Sequence, residues 1–216
     1  MPALPMRRYR YAALFALIPA LALQGCPAVI GAGGFVAMSS MDDRRTTGTQ
    51  LDDSAIESRA NSRIAERIGE RGRIQVAAFN RTVLLTGEAW DEATRAEAER
   101  VALEVPNVRS VTNEIRLSSA SSLSERAGDT QLTAVIKGRF MSAERLNPVH
   151  VKVIADAGVV YLLGLVTETE AETATELART TGGVRKVVKV FEYCKETDEL
   201  CRRPQPPAEK PKPPRA

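Results

Sequence analysis

Three cysteines and a single histidine are the residues of this 216-residue chain with the widest chemical repertoire, and their spacing decides what each could do. Cys26 ends the run Leu23-Gln24-Gly25-Cys26, directly after the apolar stretch Tyr11 to Leu23, which Arg7, Arg8 and Arg10 precede. A positive segment followed by a short apolar one is the pattern of an export signal. A leucine, a small residue and a cysteine at its end come close to a bacterial lipobox, in which the cysteine is lipidated and becomes the mature N-terminus. Gln24 is bulkier than the usual occupant of its slot, and an ordinary signal peptide with a chance cysteine is the alternative. Cys194 and Cys201 then remain as an even pair, which an oxidising periplasm could join. Seven residues apart on a helix their Cα atoms would be about 10 Å apart, beyond disulfide reach, so the bond demands a turn.

The other reactive types form no constellation. His150 has no acid or nucleophile placed with it and reads as a surface residue on a strand. Glu168, Glu170, Glu172 and Glu176 read as the solvated face of a helix. Phosphate-cradling glycine loops and metal-ligand spacing are missing, so a non-enzymatic chain without cofactor or metal is expected. Charge points away from nucleic acid. The chain carries 30 basic and 27 acidic residues, and removing Arg7, Arg8 and Arg10 with the leader leaves 27 of each. No basic patch of the size that nucleic acid needs survives that subtraction.

What must position these residues is a repeat. Thr82-Val83-Leu84-Leu85-Thr86-Gly87 returns as Val159-Val160-Tyr161-Leu162-Leu163-Gly164, with Gly87 matching Gly164. Helix, strand, turn, strand, helix and strand recur around each glycine, so two copies of one α+β module are expected. Residues 1–25 are the leader, whose apolar run Tyr11 to Leu23 is short for a membrane span of roughly 20 apolar residues. Residues 26–51, with Gly31, Gly33, Gly34, Ser39, Ser40 and Gly48, read as a flexible tether. The first module spans 52–117. Ser54 and Glu57 fit a capping box, and Ile56, Ala60, Ile64 and Ile68 make the buried stripe of its first helix. Asn80-Arg81 is the hairpin turn, and Asp91 caps the second helix. A strand-helix-strand connection of this length predicts parallel pairing of the third strand. Residues 118–128 read as a serine-rich linker. The second module, 129–193, opens at Asp129 as cap, buries Leu132, Ile136 and Phe140, turns at Asp156-Ala157-Gly158, and caps its second helix with Thr167 and Glu170. Gly87 and Gly164 are expected to be structural, marking close approach of backbone at a strand end. Residues 194–216 form a proline-rich, charged tail.

Together, the lipobox, the repeat and the segment Asp43-Arg44-Arg45-Thr46-Thr47-Gly48-Thr49-Gln50-Leu51-Asp52-Asp53 resemble the dual BON-domain outer-membrane lipoproteins of the DolP type. Val151-Lys152-Val153, Val160 to Val166 and Gly183-Val184-Arg185-Lys186-Val187 carry the likeness through the second module. The resemblance implies a three-stranded mixed sheet on two helices in each module. It implies a lipid anchor at Cys26 on the periplasmic face of the outer membrane, which Pro27 in place of an aspartate also favours. It implies binding of anionic phospholipid by the first helix of the second module, and support of membrane integrity under envelope stress. Where that family carries an aromatic near the helix start, this chain has Gln131, with Lys137 and Met141 as companions. Lys137, Arg139 and Arg145 would each contribute about 1 kcal/mol beside an anionic surface. An adaptor that grips outer-membrane assembly or other envelope proteins is the second reading.

Overall fold

Two tight hairpins set the register of the molecule. At Asn80-Arg81 (φ 51° and 64°) and at Ala157-Gly158 (φ 48° and 73°) both central residues lie in the left-handed region. That is the signature of the two-residue turn whose twist matches paired strands. The computed structural model describes residues 43–119, 121–195, 197–198 and 201. The leader, Cys26, the tether up to residue 42 and the tail from residue 202 lie outside the described residues.

In the first module, α1 (Thr47–Ile68) is followed by β1 (Gly72–Phe79), β2 (Thr82–Ala89), α2 (Glu92–Leu103), β3 (Ser110–Asn113) and β4 (Arg116–Leu117). The second repeats the plan with α3 (Leu123–Met141), β5 (Val151–Asp156), β6 (Val159–Val166), α4 (Glu168–Arg179) and β7 (Lys186–Tyr193). β2 is the central strand of the first sheet, antiparallel to β1 and parallel to the interrupted third strand, β3 and β4. β6 holds the same place between β5 and β7. Each module is thus an α+β unit whose mixed sheet packs on two helices. Ile56, Ala60, Ile64 and Ile68 meet Val76, Val83, Leu85, Ala98 and Val101 in one core. Leu132, Ile136 and Phe140 meet Val153, Val160, Leu162 and Ala174 in the other.

Both first helices begin earlier than their sequences suggested. α1 starts at Thr47, capped by the Thr46 side chain, so the last residues of the expected tether are helical. Ser54 lies inside that helix and donates to the Gln50 carbonyl instead of capping. α3 starts at Leu123 under a capping box of Ser122 and Glu125, so half of the expected linker is helix and Asp129 is interior. The two aspartates have a different task. Asp53 accepts the amides of Asn80 and Arg81 at 2.8 and 2.7 Å. Asp129 accepts those of Ala157 and Gly158, both at 2.8 Å. One carboxylate per module therefore ties the helix to the hairpin turn, satisfying amides that face no strand partner. The caps read at Asp91 and at Thr167 with Glu170 are formed.

Gly87 and Gly164 lie inside their strands, each two residues before the end, opposite Ile74 and Val151. A Cβ on Gly164 would come 2.5 Å from the His150 carbonyl oxygen, and one on Gly87 would collide with that of Arg73. Gly87 also has φ +109°, which only glycine adopts readily.

A third core joins the modules. Ala77, Phe79 and Leu84 on the outer face of the first sheet pack with Tyr161 and Leu163 on the outer face of the second, flanked by Ile154, Val159, Leu165, Val188 and Val190. This explains why every residue of β2 is buried and why β6 has no alternating polar face. A strand covered on both sides carries a continuous apolar run.

Candidate functional site

The lead-in to α1 places two arginines in the junction between the modules. Arg44 crosses to the second module, where its Nη1 donates to Glu170 Oε2 at 2.6 Å and to the Leu165 carbonyl at 2.9 Å. Its Nη2 reaches Glu170 Oε1 at 3.1 Å and the Cys201 carbonyl at 3.4 Å. Glu170 is buried and completes the N-terminal cap of α4, accepting the Thr167 amide at 2.9 Å. His150 Nδ1 lies 3.1 Å from its other oxygen. Burial pushes the Glu170 carboxyl up, but His150, Arg44 and the Thr167 amide overcome it and hold the group down at about 2. Arg45 is bonded to Asp43 and Asp53 at 2.7 and 2.9 Å, and its guanidinium lies 3.9 Å above the Phe79 ring. A planar cation on an aromatic face at this depth is a strong contact.

These findings correct two expectations. Glu170 is not on the solvated face of its helix, because the N3 position of a capping box points back toward the helix start. His150 is buried, in the turn Pro148–His150 before β5, with Glu170 against its ring.

Charge completes the junction along its edge. Glu192 of β7 pairs with Arg109 and accepts from Asn80 and Thr82 at 3.0 and 3.2 Å. Arg116 lies 2.6 Å from Glu88 and 3.3 Å from Asp156, which also accepts the Gly87 amide. Burial would lower the Arg116 pKa, but Asp156 and Glu88 raise it. Lys152 of β5 pairs with Glu57 of α1 and donates to the Ala78 carbonyl at 3.3 Å. Tyr161, sealed between the sheets, is pushed up to about 12 by burial and then by Glu114 and Asp156. Cys194 and Cys201 are joined, with Cα atoms 6.1 Å apart across a turn. The loop they close brings the Cys201 carbonyl onto Arg44.

The surface left to the second module is its first helix. Leu132, Ile136 and Phe140 face the core, and Leu123, Ala127, Gln131, Ala134, Val135, Gly138 and Met141 face outward. Leu123 is 77 %, Met141 72 % and Val135 46 % exposed. Lys137 stands at the edge of this face, and Arg145 is exposed in the loop beyond the helix. Arg139 is withheld from it. Its Nη1 donates to the Leu177 carbonyl at 2.6 Å and to Thr181 Oγ1 at 2.8 Å, closing the C-terminal end of α4. Arg63 makes the matching bond to the Glu104 carbonyl in the first module. Of the expected lipid-facing residues, the structure gathers Gln131, Lys137 and Met141 on one helix and gives Arg139 a structural role. Residues that the sequence did not flag are Leu123 and Val135, which stand out only once the buried side of α3 is known.

Among the described residues, no helix is long and apolar enough to cross a membrane, and no group of three or more His, Cys, Asp or Glu could hold a metal ion.

A family model described as the BON domain matches residues 52–119 and 128–195. The chain is 36 % identical over 173 residues to the outer membrane lipoprotein DolP of Haemophilus influenzae, covering 79 % of this chain and 90 % of that one. It is 33 % identical to a 21 kDa hemolysin of Actinobacillus pleuropneumoniae, over 70 % of this chain and 79 % of the relative. It is 31 % identical to the osmotically-inducible protein Y of Escherichia coli, over 65 % and 72 % of the two chains.

Proposed function

The chain belongs to the BON-domain family, and from that premise we propose that it binds anionic phospholipid through α3 and thereby supports the integrity of the outer membrane under stress. It is an envelope protein, lipid-anchored at the outer membrane on its periplasmic side. The relative from Haemophilus influenzae is named an outer membrane lipoprotein, and the lipobox at Cys26 supplies the anchor. The osmotic induction in another relative's name supports the stress role.

The observation that carries the lipid reading is the outward face of α3. Leu123, Ala127, Ala134, Val135 and Met141 give it an apolar strip that no other element covers among the described residues, with Lys137 beside it. An amphipathic helix that lies in an interface needs an apolar face and flanking cations. With Gln131 in place of an aromatic, binding rests on aliphatic side chains and on charge, and is expected to weaken steeply with salt. No reaction is assigned to the junction. Its buried acid, histidine and arginine are bonded to one another and hold the modules together.

Co-sedimentation of the mature chain, made without its lipid, measures this. Vesicles containing phosphatidylglycerol or cardiolipin should retain the protein, and phosphatidylcholine vesicles should not. Sedimentation that ignores both lipid charge and salt would sink the proposal.

Trp90 favours the adaptor reading. It is 65 % exposed just after β2, beside Leu117 at 50 %, and large exposed aromatics anchor protein interfaces. A photo-crosslinker at position 90 that captures a defined envelope protein, with vesicle binding unaffected, would establish that second surface.

A further inference from the structure

The repeat gives the module junction two equivalent corners, and only one of them is filled. Lys152 stands opposite Leu163 in the second sheet as Gln75 stands opposite Thr86 in the first. Glu57 follows Asp53 by four residues as Thr133 follows Asp129. At the first corner Lys152 meets Glu57, and the cation of one module is answered by the acid of the other. At the second corner Gln75 meets Thr133 across a cleft of about 390 Å³ between β1, β5 and α3. Arg73, Arg126 and Lys137 line that cleft.

Its two carboxylates already accept from groups outside the cleft. Asp129 holds the two hairpin amides, and Asp156 holds Arg116 and the Gly87 amide. Arg73 Nη1 is buried without a hydrogen-bond partner among the described residues. A buried donor on a charged group that stays unsatisfied is costly, and a bound water or anion is one way to satisfy it.

We propose that this cleft binds a phosphate group. The two guanidinium forks suit paired oxygens, and Lys137 adds a point charge. Thr130 and Thr133 bring hydroxyls to the same cleft. The three cations outnumber Asp129 and Asp156 in the lining, which keeps it net positive, and a phosphate offers oxygens enough for both guanidinium groups and the ammonium. The phosphate comes either from solution or from the headgroup of an anionic phospholipid, and the site is separate from the apolar face of α3.

The test follows the melting temperature of the mature chain with inorganic phosphate, at ionic strength held constant with chloride. Wild type should gain about 3–6 °C once phosphate is about tenfold above its dissociation constant. Thr133→Glu places an internal carboxylate where Glu57 stands at the other corner, and should melt no lower than wild type in chloride yet ignore phosphate. Arg73→Gln should also lose the response, and decides the matter alone if the first variant folds poorly. A wild-type melting temperature that phosphate does not move, or variants that respond as wild type does, would overturn the proposal. Phosphatidylglycerol vesicles identify the source. Retention lowered several-fold by both variants assigns the headgroup, and unchanged retention with a lost phosphate response assigns the soluble anion. Failure of the apolar face leaves a different trace, since Leu123→Ser with Met141→Ser would then leave vesicle binding intact.

Discussion

The two modules share a fold, a register and even a hairpin-holding aspartate, yet they spend their first helices differently. α1 turns Ser54, Ser58, Arg59, Asn61, Ser62 and Arg63 toward solvent. At the matching positions α3 carries Thr130, Ala134, Val135, Lys137, Gly138 and Arg139. The buried stripe is preserved because each sheet needs it. The outer face is free to diverge, and only the second module has turned it apolar. The same asymmetry holds at the start of the second helices. The Thr167 cap of α4 has Glu170 at N3, buried and tied to Arg44, where the Asp91 cap of α2 has Thr94. The lead-in segment grips both modules, Arg45 at Asp53 and Phe79 and Arg44 at Glu170, but only the second offers it a buried cap acid.

The largest test of that asymmetry removes the cap acid. Glu170→Ala should cost about 4 kcal/mol in denaturant unfolding, because it strands Arg44 as an uncompensated buried charge. Thr94→Ala at the matching position should cost far less. The Glu170 contribution also has a pH signature. Its carboxyl is held near 2 in the folded chain against 4.5 unpaired, so the stabilisation is complete above about 4.5 and is lost as pH falls from there through about 2. Unfolding measured from pH 6 to pH 2.5 should show a slope that Glu170→Gln reduces.

The paired glycines come next. Gly87→Ala must both collide with a carbonyl and accept φ +109°, whereas Gly164 sits outside the left-handed region. About 3 kcal/mol against about 2 is expected. Equal losses would mean that the collision alone matters. The hairpin aspartates should differ by less. Asp53→Asn also weakens Arg45, so about 2 kcal/mol is expected against about 1 for Asp129→Asn. Smallest in stability is Leu123→Ser with Met141→Ser, within about 0.5 kcal/mol. That double variant should nonetheless lower vesicle retention about tenfold or more, and the matching changes in α1 should not.

Much of this fold was legible in the sequence because both of its periods are local. The stripes Ile56-Ala60-Ile64 and Leu132-Ile136-Phe140, the turn at Asn80-Arg81 and the caps at Asp91 and Thr167 need only near neighbours to be read. The helix starts were less legible. Asp52-Asp53-Ser54 and Asp129 look like caps, and their true partners are amides 27 to 29 residues away. The turn that does begin α1, Thr47-Gly48-Thr49, is weak in intrinsic propensity and is held by its cap, whereas the Ser122 and Glu125 box of α3 is legible in the sequence but competes there with Asp129. The junction left one trace in the sequence, the unbroken apolar run Val159 to Val166. A strand with one solvated face would alternate there. Arg44 left none, since a lone arginine in a polar lead-in says nothing of a carboxylate 126 residues on.

Arg44 has a further consequence, which is mechanical. With the proposed acyl anchor at Cys26, 16 residues lie between it and Asp43, at most about 60 Å of chain. Tension along that leash does not reach α1 first. It arrives at Asp43, Arg44 and Arg45, where Arg45 holds Asp53 and the forked ion pair of Arg44 passes load to Glu170 and the Leu165 carbonyl of the second module. Pulling on the anchor therefore loads the seam between the modules before it can peel α1 away. The molecule hangs from both modules at once, although only the first is near in the chain.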